Sequence, residues 1–272
     1  MAWVAAMTSR TVFTWLCVLA GAATAQAGSI SITTTQSARL EGKSLIVAVQ
    51  VGNTGDEAAL AVTPLVRFGD KEVRGTRQES LAPNGRFEDT VTVEVGELAT
   101  GTWPYLVGVD YTDGNQYPFQ AVQGGRIAVG NPAPAKIAIA SMTAGKLAKT
   151  NDAEIKVKNL EGVARTTTMR VMVPTGIEAE PPTSEVKLDA WEEKTISVTL
   201  TNRTALAGSR YPVFAAIEYD ADGTHFAVLG QGVVEIIPSE TLIDRFGGGL
   251  WVGAAVLGGL FVLLVGLRTL RG

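Results

Sequence analysis

Cysteine and histidine are almost missing from this chain. Its single cysteine, Cys17, excludes a disulfide framework and a cysteine-rich metal site. Its single histidine, His225, excludes a multi-histidine metal site or proton relay. Charge and aromatics are also sparse, at 18% and 7% of residues, and the net charge of −4 offers no basic patch for nucleic acid. What is plentiful is glycine, 30 of 272 residues, together with threonine and valine, a composition of β structure rather than of helices. At roughly 150 residues per domain, such a length makes one or two domains, each with its own core.

The two ends read as addresses. Residues 1–27 form a secretory signal: Arg10 is the only charge before Arg39, an apolar core runs from Val12 to Ala20, and Ala25-Gln26-Ala27 is a small-x-small cleavage site. Cleavage there makes Gly28 the first mature residue and removes the only cysteine. At the other end Phe246 to Leu267 is 22 residues without a charge, enough to span a bilayer, which needs about 20. Trp251 lies near its start and Arg268 and Arg271 follow it, so the tail 268–272 is expected in the cytoplasm and the bulk of the chain outside. Gly249 with Gly253, and Ala255 with Gly259, are small-x-x-x-small pairs that let membrane helices pack closely. Gly247-Gly248-Gly249 before an apolar helix and terminal arginines also resembles the bacterial C-terminal sorting signals that are cut away; a permanent anchor is the reading carried forward.

Between these ends the chain is one module written twice. All 27 acidic residues and 20 of the 23 basic ones fall in residues 28–245, giving that part a charge of −7. Val49-Gln50-Val51-Gly52-Asn53 matches Ile155-Lys156-Val157-Lys158-Asn159, Leu81 to Val93 matches Leu188 to Leu200, and Gly101 to Tyr111 matches Gly208 to Tyr219 with a one-residue slip. A period near 100 residues means tandem domains rather than a solenoid. Leu45, Val47, Val49 and Val51 alternate with polar neighbours, as do Tyr105, Val107, Val109 and Tyr111, and the second copy repeats both patterns. Alternation predicts strands with one face buried and one in solvent. Asp113-Gly114 and Asp222-Gly223 read as hairpin turns. About seven strands in about 100 residues is the arithmetic of an immunoglobulin-like sandwich.

The motifs Val51-x-Asn53-Thr54-Gly55, Leu81-Ala82-Pro83-Asn84-Gly85 and Asp110-Tyr111-Thr112-Asp113-Gly114 carry a resemblance. So do their worn counterparts Asn159-Leu160-Glu161-Gly162 and Leu188-Asp189-Ala190-Trp191. In this order they resemble the bacterial and archaeal Ig-like surface modules of the cell-adhesion-related (CARDB) and galactosidase-associated NEW3 types. The resemblance covers nearly all of residues 28–237. It implies a sandwich fold and a non-catalytic surface or accessory role.

The expected fold is therefore all-β, two tandem immunoglobulin-like β-sandwiches plus one C-terminal transmembrane helix. The segments are a signal peptide (1–27), sandwich 1 (28–130), a Pro-rich linker (131–135), sandwich 2 (136–237), a stem (238–245), the membrane helix (246–267) and the tail (268–272). A stem of eight residues keeps sandwich 2 near the bilayer, with sandwich 1 projecting beyond it. No nucleophile elbow, zinc-protease helix or phosphate loop occurs, and His225 reads as a strand residue after a hairpin, so no catalytic residue, metal or cofactor is expected. Glu218, Asp220 and Asp222, or Asp110 with Asp113, could contribute oxygens to calcium, but aspartate also forms turns by bonding its own backbone, and the turn reading is carried forward. Trp103, Tyr105 and Trp191 are candidates for stacking on sugar rings, against the plainer reading of core packing. Asn202-Arg203-Thr204 is a glycosylation sequon. The expected function is a membrane-anchored, extracytoplasmic, non-enzymatic protein that binds a protein partner at the envelope. Its alternative is glycan binding or adhesion.

Overall fold

The structure, a computed structural model, describes residues 28–239. The signal segment, the anchor from Phe246 to Leu267 with Trp251, the helix-packing positions Gly249, Gly253, Ala255 and Gly259, and the arginines Arg268 and Arg271 lie outside the described residues. Every regular element among the described residues is a strand, and no helix among them is long and apolar enough to cross a membrane.

The first copy contributes β1 (Ile32–Glu41), β2 (Ser44–Asn53), β3 (Ala59–Phe68), β4 (Lys71–Arg74), β5 (Gln78–Leu81), β6 (Arg86–Glu94), β7 (Gly101–Thr112) and β8 (Pro118–Val129). The second contributes β9 (Ile137–Thr143), β10 (Lys146–Leu147), β11 (Thr150–Asn159), β12 (Arg165–Met172), β13 (Ile177–Glu180), β14 (Thr183–Leu188), β15 (Glu193–Asn202), β16 (Arg210–Ala221) and β17 (Thr224–Ile236). In the first copy β1-β2-β6 faces a sheet in which β7 sits between β8 and β3, with β4 and β5 on the outer edge of β3. In the second copy β13-β15-β11-β9 faces β14-β12-β16-β17. These strand orders are those of immunoglobulin-like sandwiches.

The cores follow the alternation. Leu45, Val47, Val49 and Val51 of β2 are at most 1% exposed, and Ala153, Ile155 and Val157 of β11 are fully buried. Each buried valine, leucine or isoleucine contributes about 1.5–3 kcal/mol of transfer free energy. Both runs end on a buried asparagine that ties loops together. Asn53 donates through Nδ2 to the Glu57 and Leu81 carbonyls and accepts from the Gly55 amide. Asn159 does the same with Val163, Asp189 and the Glu161 amide. Asp222-Gly223 is a two-residue turn with φ of 50° and 75°, the primed geometry that matches strand twist. Asp113-Gly114 is not. The strands it joins close only at Thr112 and Pro118, because Asp113 Oδ1 accepts the Asn115 and Tyr117 amides and holds a five-residue loop open, with Gln116 in the left-handed conformation.

The two sandwiches share a sheet. His225, at the start of β17, pairs in parallel with Gly101, at the start of β7. Since β17 is antiparallel to β16, β7 runs opposite to β16, its own counterpart in the repeat. The copies therefore lie side by side and inverted. Leu106 and Val122 of the first copy meet Phe214 and Leu229, their counterparts in the second, with Met172 alongside. This corrects the expectation that every second residue of β7 and β16 faces solvent: Leu106 and Phe214 are 0% and 4% exposed, covered by the other copy. It also differs from the expectation that sandwich 1 projects beyond sandwich 2. Ser29 bonds Asp56, Glu57 lies beside Gly114, Tyr117 of that loop donates its hydroxyl to the Thr204 carbonyl, and Gly208 bonds Ile236. Both ends of the described chain thus leave from one end of the pair, and sandwich 1 reaches no further from it than sandwich 2.

Candidate functional site

The seam gathers most of the chemistry that the sequence scatters. The His225 amide donates to the Thr100 carbonyl at 2.9 Å, and its ring stacks on Trp103 at 3.7 Å and 14°. A Cβ on Gly101 would overlap the His225 carbonyl oxygen, and its φ of 151° suits glycine, so the close approach of the two strands depends on that residue. The imidazole, part of a residue only 7% exposed, has Nδ1 at 2.9 Å from Asp220 Oδ1 and Nε2 at 3.4 Å from Glu218 Oε2, longer than a normal hydrogen bond. Burial alone would pull its pKa down, but the Glu218 and Asp220 carboxylates outweigh burial and hold it above the ordinary 6.5. Elsewhere along the seam Gln120, 1% exposed, donates to Asp110 and accepts the Thr175 amide of the other copy. Burial, with the Tyr211 phenol nearby, pushes the Tyr111 phenol up to about 12.

Beside this seam runs a cleft of about 410 Å3 lined by Arg67, Phe68, Trp103, Arg170, Met172 and Glu218, among others. Its cations are engaged. Arg67 bonds Glu72 at 2.8 Å and holds that carboxyl below its usual range, and Arg170 bonds Asp70 across the seam at 2.8 Å. Neither His225 nor any cysteine lines it. The cleft lies between the copies, with residues of both in its lining.

The candidate residues fall in different places. Tyr105 is 5% exposed, in the core of the first sandwich and packed against Gly125, and one face of Trp103 is covered by His225 at the seam, so these two form no open platform for a sugar. Trp191 stands alone, 65% exposed. Tyr111 and Tyr219 each stack on the phenylalanine opposite in the next strand, Phe119 and Phe226, and Tyr219 also accepts the Lys136 amide. The acids are divided among other tasks. Glu218 and Asp220 flank His225, Asp222 makes a turn, Asp110 bonds Arg74 and Gln120, and Asp113 caps its loop. No group of three metal-ligating side chains forms among the described residues. Asn202 of the sequon donates both amide hydrogens, to the Ala148 and Ala205 carbonyls, which leaves that nitrogen engaged by the fold. Sequence reasoning passed over Leu160 and Val163, 42% and 55% exposed beside Trp191. Their counterparts in the repeat, Thr54 and Glu57, are polar, and that contrast was readable.

No family model and no curated protein matches the chain. Solved structures match weakly. The native Escherichia coli alpha-2-macroglobulin aligns over 77% of this chain and 17% of its own length, at 11% identity and a TM-score of 0.32. The YadV chaperone aligns over 74% of this chain and 98% of its own, at 11% and 0.30. PapD-like domain 7 of human CEP192 aligns over 41% and 92%, at 12% and 0.29. This chain thus spans about a sixth of the macroglobulin it matches. The sandwich fold rests on the strand pairing, since a likeness this loose adds nothing about activity or partners.

Proposed function

We propose that this is a membrane-anchored, extracytoplasmic, non-enzymatic interaction protein whose two immunoglobulin-like sandwiches bind a protein partner at the cell envelope. The observation that carries the reading is the inverted side-by-side pair. The two copies form one body through a shared strand contact and an apolar cluster, and both ends of the described chain leave from the same end. Only six residues, 240–245, separate Ser239 from the apolar segment at Phe246, a reach of at most about 25 Å. An anchor there would hold the exit end at the bilayer and turn the opposite end outward. The only histidine is held by Trp103, Glu218 and Asp220 within the seam, which supports a structural role for it. The accessory-module character implied by the CARDB and NEW3 resemblance fits the same reading. Glycan binding keeps one of its three aromatics, Trp191.

Cross-linking in intact cells tests the proposal, with the full chain compared to a version ending at Arg245. The full chain should be found in the membrane fraction with a protein partner, and the shortened chain should be released from the membrane while keeping that partner. Capture of polysaccharide and no protein by both versions would overturn the reading in favour of adhesion.

A further inference from the structure

The repeat supplies its own control for what the fold requires. In each copy a buried asparagine stitches together the same two loops, residues 53–57 with 81–85 and residues 159–163 with 188–192. Two of the three asparagine bonds fall on matching positions, and the third reaches Leu81 in the first copy and Asp189, one position further on, in the second, so both copies build closely similar corners. In the first copy the corner carries Thr54, Glu57 and Asn84. At the matching positions the second copy carries Leu160, Val163 and Trp191, and all three are exposed, at 42%, 55% and 65%. Polar residues suffice to make this corner, and the apolar ones leave from about two-fifths to two-thirds of their surface in solvent. Packing within the domain therefore accounts for only part of them.

The backbone sharpens the contrast. Asn84 has a φ of 60° and Trp191 one of 59°. Asparagine is enriched in this left-handed conformation, whereas a bulky residue there is an outlier. Trp191 thus sits at a position that its size disfavours, 65% exposed with its indole edge beside Gly162, and its amide bonded to the Glu161 carbonyl at 3.0 Å. Strain of this kind collects where a side chain is presented for use.

We propose that the corner formed by Leu160, Val163 and Trp191 is a docking site for a protein surface that offers an apolar pocket edged by lysine or arginine. The inference rests on the protein-binding reading above. Charge supplies the edge: Leu160 to Ala164 and Asp189 to Glu193 contain Glu161, Asp189, Glu192 and Glu193, with Arg165, Lys194 and Lys136 flanking them. Glu161 is answered by Arg165 and Glu193 by Lys156 and Lys158, while Asp189 and Glu192 make no ion pair among the described residues. Two of the three apolar side chains are branched aliphatics, which offer nothing to sugar hydroxyls and much to an apolar pocket, so a protein fits better than a glycan. The like charge of the corner disfavours a second copy of the same surface. The corner is also at the end of its sandwich opposite to Ile236 and the chain exit, so a tether there leaves it free.

A photo-reactive phenylalanine analogue placed at Leu160 of the full chain, irradiated in its native cells, tests this. The expected product is a protein adduct whose cross-linked peptide joins apolar residues to lysine or arginine, and whose yield falls about tenfold or more in Trp191→Asn, the loss expected of a hot-spot residue. Trp191→Asn copies the sibling residue, so its melting temperature should be unchanged or higher, which separates lost docking from lost folding. Adducts only with glycan, lipid or a second copy, a peptide without basic residues, or a yield indifferent to Trp191→Asn would overturn the proposal. A second probe at Leu206, 44% exposed at the exit end, divides the failures. A protein adduct from Leu206 alone would reject the corner and leave the protein-binding reading standing. No protein adduct from either position would reject both.

Discussion

Removing the Asn159 side chain to Cβ should unfold the corner it builds. The residue is fully buried, and its amide makes three hydrogen bonds, to the Val163 and Asp189 carbonyls at 2.8 Å each and from the Glu161 amide at 3.2 Å. Asn159→Ala leaves two carbonyls and one amide without partners. A buried group left unsatisfied costs about 1–3 kcal/mol, but the loops are at the surface and water will reach some of these groups. A total near 3 kcal/mol is therefore expected, at the low end of three full penalties. For a cooperative unit of this size, about 2–4 °C is lost per kcal/mol, so the melting temperature should fall by about 6–12 °C. Asn53→Ala removes a like set of three bonds, to Glu57 and Leu81 and from Gly55, and should cost about the same. Circular dichroism melts of the full chain in mild detergent, with urea titration for the free energy, measure both. A loss under about 1 kcal/mol in either variant, or a silent Asn53 beside a damaging Asn159, would refute the equivalence on which the reading of the repeat depends.

Three other outcomes follow from the seam and the turns. The pKa of His225 is raised in the folded chain, so its contribution is complete below the ordinary value of 6.5 and fades as pH rises through the folded value. Melting temperature should decline from pH 5.5 to 8.5, and His225→Gln should flatten that part of the curve; an unchanged slope would show that the Glu218 and Asp220 contacts do not bias its protonation. Gly101→Ala drives a methyl group into the His225 backbone and should open the seam, seen as a larger radius of gyration by X-ray scattering with both sandwiches still folded. Gly223→Ala meets no neighbouring atom within 4 Å, so only its φ of 75° is penalised, and the loss should be about 1 kcal/mol, read by urea titration.

Much of each sandwich was legible because burial on one side leaves a two-residue rhythm. Leu45 to Val51 and Ile155 to Val157 occupy the faces that this rhythm assigns them. The repeat exposed paired positions, among them Asn53 and Asn159, each of which ties the same pair of loops together. The seam was harder to read. Tyr105 to Val109 and Val213 to Ile217 are unbroken runs of apolar residues and glycine, which signal burial on both faces, but a run cannot say which surface covers the second face. Reading only Tyr105, Val107 and Val109 left Leu106 in solvent, and the inverted packing that covers it has no mark in a sequence with a short linker. Asp113-Gly114 misled for a local reason: the aspartate bonds amides two and four residues on, and this sets a longer loop before a tight turn can form. In the sequence Trp191 is one aromatic among several. Its distinction lies in a backbone angle and in the polarity of its sibling Asn84.

The central claim is that the sandwiches form one inverted pair with both chain ends at the same end. Cysteines introduced at Ser29 and Ser239, with Cys17 replaced, allow two spin labels and a distance by pulsed electron resonance on the full chain in a lipid nanodisc. Strands of 12 residues span about 40 Å. Side-by-side packing should give a single narrow distance below about 45 Å, within roughly one strand length. A distance of about 70–80 Å, two strand lengths, or a broad distribution between these limits, would mean that the copies are strung end to end or move independently, and would contradict the account.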